Sequence, residues 1–250
     1  MTTAGAAAGE AVAAITGQPV RAATPRGSVW LIELGDGRTV VAKRGESGQA
    51  LAEAAGLRWL QVPGGPPVPQ VHGHDGQWLV TEHVPGGRLG GAAPMDNVTG
   101  TQWPQWYAEH RVLRYLRSAV DRGAIDAAGA RGVHQVCERI NELAGPTEPP
   151  ARLHGDLWAG NVHAGADGQL WLLDPAAHGG HRETDLAMLA LFGLSHLEQL
   201  LAGYQDVAPL ASGWQQRVPL HQLFPLLVHA VLCGGGYGAS AAAAARTALG

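Results

Sequence analysis

The sequence predicts an α+β protein with a small antiparallel sheet and one helix first, followed by a larger, mainly helical part. The first observation is a β-rich apolar segment, residues 29–43, interrupted by the hairpin signal Asp36-Gly37. The second is a change to long segments with a 3.6-residue apolar period, residues 103–122 and 124–144. An order of strands first and helices later is typical of an α+β chain.

A Pro-Gly-Gly sequence, residues 85–87, separates the two patterns and predicts the boundary between the parts. We therefore divide the chain into an N-terminal lobe, residues 1–84, and a C-terminal lobe, residues 85–250. The N-terminal lobe is expected to contain a helix ended by Gly17, strands 29–34 and 39–43, a helix at 49–61, and strands 70–73 and 78–84. The C-terminal lobe is expected to be helical to Leu249, apart from short strands beside Asn161 and Asp174.

Composition and charge exclude several classes of protein. A net charge of −4 argues against a nucleic-acid-binding surface as the main function. Residues 1–17 lack the basic and apolar regions of a signal peptide, and the apolar stretch 223–233 is about half of the ~20 residues that a membrane-crossing helix needs. Cys137 and Cys233 are expected to be buried free thiols. These features together predict a cytoplasmic protein with no membrane partner.

The segment LHGDLWAGNVHAGADGQLWLLDPA, residues 153–176, contains the most specific motif. Asn161 follows Asp156 by five residues, and Asp174 comes thirteen residues later, after an apolar strand. With His154, this spacing matches the catalytic loop and the metal-binding Asp of protein-kinase-like enzymes. Any one of these residues alone is a common turn former. Together they predict Asp156 as the catalytic base for a substrate hydroxyl, and Asn161 and Asp174 as ligands of Mg²⁺.

A site of this type also needs a cation for the phosphates of ATP, and the N-terminal lobe supplies a candidate. Lys43 ends the strand TVVAK, and Glu53 lies ten residues later in the next helix, where it can pair with Lys43. The strand WLVTEHV resembles the one that enters the interlobe hinge, which predicts that backbone groups of Glu82, His83 and Val84 bind adenine. These positions complete the prediction of a two-lobed protein-kinase-like fold.

The segment expected to cover the phosphates is poor in glycine. Gly27 is the one glycine in residues 20–30, whereas the corresponding loops of kinase-like proteins have several glycines. Ser28 and Arg26 are the side chains there that can assist phosphate binding.

Several segments resemble the fructosamine kinase, or ketosamine-3-kinase, family over nearly the whole chain. Those segments are HGDLWAGN, LLDPAAHGGHRETDLAMLALFG, EAAGLRWL, DNVTGTQ, WYAEHRVL and GGGYG, in the family's order. The resemblance implies ATP-dependent phosphorylation of the 3-hydroxyl of a ketosamine sugar, after which the ester breaks down and frees the amine. It assigns Asp156 as base, Asn161 and Asp174 as metal ligands, and Lys43 as phosphate contact. One departure is Ala23-Thr24, where family members have a Gly-Gly pair.

Other side chains near the motif leave alternatives open. The indole of Trp158 is expected either to form a wall for a sugar ring or to pack the catalytic loop. His178 and His181 can line the acceptor pocket, although a His pair in a Gly-rich loop is more often solvated. A zinc site is not predicted there, because no further Cys or His falls at a suitable spacing.

Two other functions compete with a ketosamine kinase. One is a kinase for another polyol or amino alcohol, such as an aminoglycoside. The other is a nucleotide-binding pseudokinase, which the glycine-poor loop suggests but the presence of Asp156, Asn161 and Asp174 disfavours. The sequence leaves open the sugar, the amine (a small metabolite or a protein side chain), and the oligomeric state.

Overall fold

The computed structural model describes residues 3–46, 48–85, 100 and 102–250. Its contacts divide the chain into two compact units, one joining residues 1–92 to 154–178 and the other joining 93–153 to 179–250. The predicted α+β class is confirmed, because an antiparallel sheet comes first and helices dominate the later part of the chain. The lobe boundary placed after residue 84 stays a prediction, and Gly86 and Gly87 lie outside the described residues.

The first unit is built on a five-stranded sheet in the order β1-β2-β3-β5-β4, in which neighbouring strands are antiparallel. Four of the strands follow the predicted apolar segments. The strands are β1 (Val20–Arg26), β2 (Val29–Leu34), β3 (Thr39–Arg44), β4 (Val71–His74) and β5 (Trp78–Glu82). The predicted turn at Asp36-Gly37 is present, with Gly37 at φ 88° and the Asp36 carboxylate accepting from Arg38 N–H.

Strand β1 was not predicted, because its residues were assigned to a phosphate-covering loop. Its sequence contains Pro25, which cannot donate a ladder hydrogen bond and is tolerated only on an edge strand. β1 is an edge strand of this sheet, so Pro25 is compatible with it. The residues that were expected to form a loop are therefore a hairpin.

Two helices cover opposite faces of the sheet. Helix α1 (Thr3–Thr16) buries Ala8 and Val12 against one face, in a cluster that includes Ile32 and Val80. Helix α2 (Gln49–Leu60) buries Leu57 against the other face, beside residues such as Leu79. Successive strand residues point to opposite faces, so the neighbours Leu79 and Val80 serve different helices. Burying each such side chain contributes about 1.5–3 kcal/mol.

The residues of the motif predicted from sequence flank a small hairpin in the same unit. Strands β7 (Val162–Ala164) and β8 (Leu170–Leu172) pair antiparallel, and the turn between them has Gly168 at φ 76°. The amide of Leu172 donates to the carbonyl of Pro67 at 2.9 Å. The short strands predicted beside Asn161 and Asp174 are therefore present and form this hairpin.

The second unit is mainly helical. Its helices are α3 (Trp103–Tyr107), a π-helical turn (Ala108–Leu113), α4 (Arg114–Asp121), α5 (Ala127–Glu138), α6 (Ile140–Leu143), α7 (Glu183–Leu191), α8 (Leu197–Val207), α9 (Trp214–Cys233) and α10 (Tyr237–Leu249). Two short strands, β6 (Ala151–Leu153) and β9 (His178–Gly180), form a two-stranded sheet. The predicted helices 103–122 and 124–144 correspond to the segment from α3 to α4 and to α5 with α6.

An apolar core joins most of these helices, with Val112, Leu116, Val133, Leu223 and Leu227 buried in it, whereas α8 contributes no residue. Within the described residues, no helix combines the length and apolar character needed to span a membrane. Cys137 is buried as predicted, but the prediction for Cys233 is wrong. Cys233 is the last residue of α9 and is exposed there, because the helix ends before Gly234.

Candidate active site

Apart from His181, which lies in the second compact unit, the predicted site residues belong to the first one. Lys43 lies on β3, Glu53 on α2, residues 82–84 at the end of β5, Asp156 and Asn161 in the loop before β7, and Asp174 after β8. The fold therefore brings together residues that are more than one hundred positions apart in sequence.

Lys43 is the cation around which two carboxylates gather. Its Nζ donates to Oε2 of Glu53 at 2.9 Å and also to Oδ1 of Asp174. The side chains of Lys43, Glu53 and Asp174 are only 14%, 16% and 7% exposed. Glu53 reaches Lys43 because α2 packs on the sheet face to which Lys43 points. The pairing that the sequence suggested for Lys43 and Glu53 is present, and Asp174 joins it.

The charges in this group are unbalanced, because two carboxylates share one ammonium. Burial would lower the pKa of Lys43, but the charges of Glu53 and Asp174 raise it, so Lys43 stays protonated. Burial also raises the pKa of Glu53. The positive charge of Lys43 lowers this pKa and the negative charge of Asp174 raises it, and the net result is a raised pKa. Burial is the main cause of the raised pKa of Glu53, and the charge of Asp174 is a smaller one.

His154 connects the catalytic loop to the segment that carries Asp174. Its Nε2 donates to the carbonyl of Leu173 at 2.9 Å, while its Nδ1 accepts from the amide of Asp156 at 3.3 Å. The two contacts require the tautomer with the proton on Nε2. Burial lowers the pKa of His154 to about 4, so the ring is neutral at pH 7. His154 therefore positions Asp156 relative to the end of β8.

Gly155 lies where the loop before Asp156 comes very close to the backbone of the segment after Asp174. Its φ is +81°, and a Cβ atom there would lie 2.2 Å from the carbonyl oxygen of Ala176. No side chain fits in that space without moving one of the two backbones. The glycine of the His-Gly-Asp motif thus lets the catalytic loop pack directly on the segment after Asp174.

Asp156 and Asn161 are held to each other across a 3₁₀ turn, Ala159–Asn161. Asn161 is buried, and its Nδ2 donates to Oδ2 of Asp156 at 3.0 Å and to the carbonyl of Asp156 at 2.8 Å. In the described part of the chain, the carbonyl oxygen Oδ1 of Asn161 accepts no hydrogen bond. Both donor hydrogens of Asn161 therefore orient Asp156, and its oxygen remains available as a ligand.

Asp174 has an unusual backbone conformation. Its φ of 57° lies in the left-handed region, and the only other described non-glycine residue with a positive φ is His196. Aspartate tolerates this region better than most residues, but the conformation still costs roughly 1 kcal/mol or more. Such strain occurs often at functional sites. It turns the Asp174 carboxylate out of strand β8 towards Lys43.

A cavity of about 410 Å³ adjoins the Lys43 group, a volume within the ~300–1,000 Å³ range of small-molecule sites. Polar groups of Lys43, Glu53 and Asp174 lie at one side of it. Apolar and hinge residues complete the lining, among them Leu31, Val41, Leu57, Leu79, Leu173, Glu82, His83 and Val84. The apolar wall was not predicted from sequence, although strand alternation places Val41 on the same face as Lys43.

The three predicted hinge residues differ in what their backbones offer. The amide of Glu82 already donates to the carbonyl of Gln70 at 2.8 Å. His83 and Val84 follow the end of β5, and no backbone hydrogen bond joins them to another described residue. Burial lowers the pKa of His83, which keeps its ring neutral. The amides of His83 and Val84 are therefore the donors available to a planar ligand.

Trp158 and His178 lie outside the cavity lining. The indole of Trp158 is 37% exposed and lies against Gly160, where a Cβ atom would come within 2.3 Å of the ring. His178 is half-buried, and its Nδ1 lies 2.9 Å from the carbonyl of Ala176. Their proposed roles in substrate binding stay predictions.

Comparison with known proteins shows the family of the chain. Residues 87–249, about two thirds of the chain, match the sequence model of the family described as fructosamine kinase. The chain belongs to the fructosamine kinase family. The predicted resemblance is thus confirmed. The matched region of this fructosamine kinase family member includes Asp156, Asn161 and Asp174. Lys43 and Glu53 lie before the matched region.

Three relatives show how far the similarity extends. One is a candidate fructosamine-3-kinase from Thermobifida fusca YX-ER1 with a crystal structure, and its sequence is 42% identical to this chain. The two structures align with a TM-score of 0.90 over 100% of this chain and 99% of that one. The ketoamine kinase candidate YniA of Escherichia coli (strain K12) is 39% identical over 146 residues. Those residues are 57% of this chain and 48% of YniA, so this chain spans about half the length of such curated relatives. A macrolide 2′-phosphotransferase type I, 19% identical with a TM-score of 0.57 over 97% of both chains, shows the kinase-like fold alone.

The second unit of this fructosamine kinase family member contains a buried polar cluster that corrects one prediction. His181 was expected to be solvated, but it is only 6% exposed. Its ring lies 4.8 Å from that of Trp103 and 5.0 Å from that of His221 on α9. The local Gly-rich sequence gave no sign of this burial, because both rings come from distant segments.

His181, Glu183 and His221 place possible metal ligand atoms within 4.8 Å of one another. However, Arg217 donates to both oxygens of Glu183, at 2.9 and 2.6 Å. A divalent cation would compete with this guanidinium and add uncompensated charge to a buried position. We therefore interpret the cluster as an internal ion pair with two neutral histidines.

The buried histidines make the stability of the protein sensitive to acid. Burial lowers the pKa of His154 and of His181 to about 4, and it also lowers the pKa of His221. Unfolded histidine has a pKa of about 6.5, so the unfolded chain binds protons first as the pH falls. We expect the free energy of unfolding to decrease between about pH 6.5 and 4, by up to about 1.4 kcal/mol per pH unit for each of His154 and His181, with His221 acting in the same direction.

Urea denaturation at pH 7.5, 6.5, 5.5 and 4.5 measures this slope. His181→Gln is expected to make the slope smaller, because one of the protonating groups is lost. His134→Gln is a matched control, since His134 is exposed on α5 and should leave the slope unchanged. A free energy of unfolding that stays constant from pH 6.5 to 4.5 would contradict the prediction.

Proposed function

We propose that the chain transfers the γ-phosphate of ATP to a hydroxyl group of a ketosamine sugar. The observation that carries the proposal is the cavity beside Lys43, Glu53 and Asp174, in the same compact unit as the Asp156–Asn161 pair. Membership of the fructosamine kinase family supports the reaction class. The names of its relatives, fructosamine-3-kinase and ketoamine kinase, support the substrate class.

In this proposal Asp156 is the base. Its carboxylate accepts the proton of the attacking hydroxyl while that oxygen forms a bond to the γ-phosphorus and ADP leaves. Asn161 restrains Asp156 through Oδ2, and His154 restrains its amide. Fixing the carboxylate before the reaction removes an entropic cost from the chemical step. Asn161 and His154 therefore act by orienting Asp156, and Asp156 acts by accepting one proton.

The residues proposed for Mg²⁺ fit a hard cation. Asn161 has an available carbonyl oxygen, and Asp174 belongs to a group in which two carboxylates share one ammonium. Carboxylate and amide oxygens are the ligands that Mg²⁺ prefers. When bound, the ion would neutralise charge on the phosphates and orient them.

The nucleotide is proposed to lie in the 410 Å³ cavity. Lys43 would contact its phosphates, with Glu53 holding the ammonium in place. Apolar side chains such as Leu79 and Leu173 would contact the adenine faces, and backbone groups at Glu82, His83 and Val84 its edge. Use of ATP also supports the predicted cytoplasmic location, where free thiols stay reduced.

The acceptor is proposed to be a ketosamine carried by a small molecule or by a protein side chain. Trp158 is an exposed aromatic residue within the Asp156–Asn161 loop, and an indole can pack against a sugar ring. His178 is the second candidate contact. These two residues stay the proposed acceptor contacts.

A substrate panel tests the proposal. ADP formation should be measured with ATP and Mg²⁺ and with ribulose-lysine, fructose-lysine, kanamycin or choline as acceptor. We expect turnover with at least one ketosamine, and loss of turnover when EDTA is added in excess over Mg²⁺.

Each other outcome has a distinct meaning. Turnover only with kanamycin or choline would keep the kinase reaction and overturn the ketosamine assignment. Binding of ATP without turnover on any acceptor would favour a pseudokinase. Activity that is unchanged in EDTA would contradict the roles of Asn161 and Asp174.

A further inference from the structure

The hairpin of β1 and β2 is tighter than a glycine-rich phosphate loop. The strands pair up to Arg26 and Val29, which leaves only Gly27 and Ser28 in the turn. Gly27 has a φ of 60° and Ser28 has a negative φ, as in a type II′ turn. Pro25 also lacks an N–H group. The tip therefore offers few free amides with which to surround a phosphate chain.

The strand register places a cation, Arg26, beside the tip of this hairpin, where a glycine-rich loop would provide backbone amides. Arg26 is opposite Val29 on β2, and Val29 is opposite Lys43 on β3. Residues directly opposite each other in a sheet point to the same face. Arg26 and Lys43 thus lie in one row, with Cα atoms roughly 10 Å apart at about 4.8 Å per strand. Both line the same cavity.

The two cations differ in what they already bind. Lys43 is engaged by Glu53 and Asp174. Arg26 is exposed, and it forms no ion pair with any residue in the described ranges. A triphosphate entering the cavity would meet the carboxylates of Glu53, Asp174 and Glu82. Arg26 is the lining side chain whose charge is available to offset that repulsion.

We infer that Arg26 is a nucleotide-binding residue whose guanidinium binds the terminal phosphates of the triphosphate, in place of the backbone amides of a glycine-rich loop. The inference rests on the proposed function, because it requires that the cavity binds ATP. Arginine suits the role, since its N–H groups can bind two phosphate oxygens at once. The chain thereby compensates for its glycine-poor hairpin with one charged side chain.

The test compares the binding of ATP with that of adenosine, which has no phosphate, by isothermal titration calorimetry. Arg26→Gln is expected to weaken ATP binding by about tenfold, as expected for loss of one charge-assisted contact, and to leave adenosine binding unchanged. Arg26→Lys should retain part of the ATP affinity. The loss in Arg26→Gln should shrink when salt is raised from 0.05 to 0.5 M, because Arg26 is exposed.

Arg21→Gln is the matched control, with the same change of charge on the same strand but outside the cavity lining. Equal ATP affinity for Arg26→Gln and Arg21→Gln would overturn the inference, and so would an equal loss of adenosine and ATP binding. A wild-type protein that turns over ketosamines while Arg26→Gln binds ATP normally would overturn the inference alone. A wild-type protein that does not bind ATP would overturn both the inference and the proposed function.

Discussion

Replacing Asp156 with asparagine is expected to lower kcat by about 10²–10⁴-fold, the usual contribution of a positioned base, while ATP affinity changes little. Asparagine has nearly the same shape, and its amide oxygen can still accept the hydrogen bond from Nδ2 of Asn161. What it cannot do is accept the proton of the substrate hydroxyl. A kinetic assay with the preferred ketosamine, together with calorimetric titration of ATP, separates kcat from nucleotide binding.

Asp121→Asn is a suitable control, because Asp121 is an exposed aspartate at the end of α4 and the chemical change is identical. It should keep the wild-type kcat. A fall in kcat of less than tenfold for Asp156→Asn would contradict the assignment of Asp156 as base. Loss of ATP binding in the same variant would mean that Asp156 supports the structure of the nucleotide site.

The sheet could be predicted from sequence wherever short-range signals agree. Strands β2 and β3 are apolar-rich runs on the two sides of the turn signal Asp36-Gly37, and both signals depend only on residues close together in sequence. Strand β1 contains both Pro25 and Gly27, which usually mark loops. Only the edge position of β1 makes this composition acceptable, and a strand's position in the sheet depends on the whole fold.

The candidate site shows the same division between local and long-range information. The spacing of Asp156, Asn161 and Asp174 is local, and it predicted the loop and hairpin that position them. The bond from Lys43 to Asp174 joins residues 131 positions apart, and only the folded chain brings them together. The burial of His181 was missed for a similar reason, because the rings beside it, Trp103 and His221, come from the distant helices α3 and α9.

Replacing Glu183 with glutamine is expected to lower the free energy of unfolding by about 3–5 kcal/mol, because it leaves a buried guanidinium without its counter-charge. Arg217 and Glu183 have side chains only 8% and 3% exposed and are joined by two hydrogen bonds. Burial alone would raise the pKa of Glu183, but the His221 ring, with Nε2 3.3 Å from Oε2, and the hydrogen bonds from Arg217 lower it to about 2. The stabilisation is therefore complete above about pH 4.5 and is lost as the pH falls towards 2.

Glu148→Gln provides the matched comparison, because Arg182 donates to both oxygens of Glu148 in the same way. That pair is more exposed, 20% for Arg182 and 15% for Glu148, so water can solvate the remaining guanidinium. Its loss should cost roughly 1 kcal/mol in urea denaturation at pH 7. If Glu183→Gln costs no more than Glu148→Gln, burial is not what makes the Arg217 pair important. The double change Glu183→Gln with Arg217→Met removes the same attraction as Glu183→Gln but leaves no buried cation. If the double change recovers the free energy of unfolding that Glu183→Gln loses, the destabilisation comes from the unpaired buried charge of Arg217.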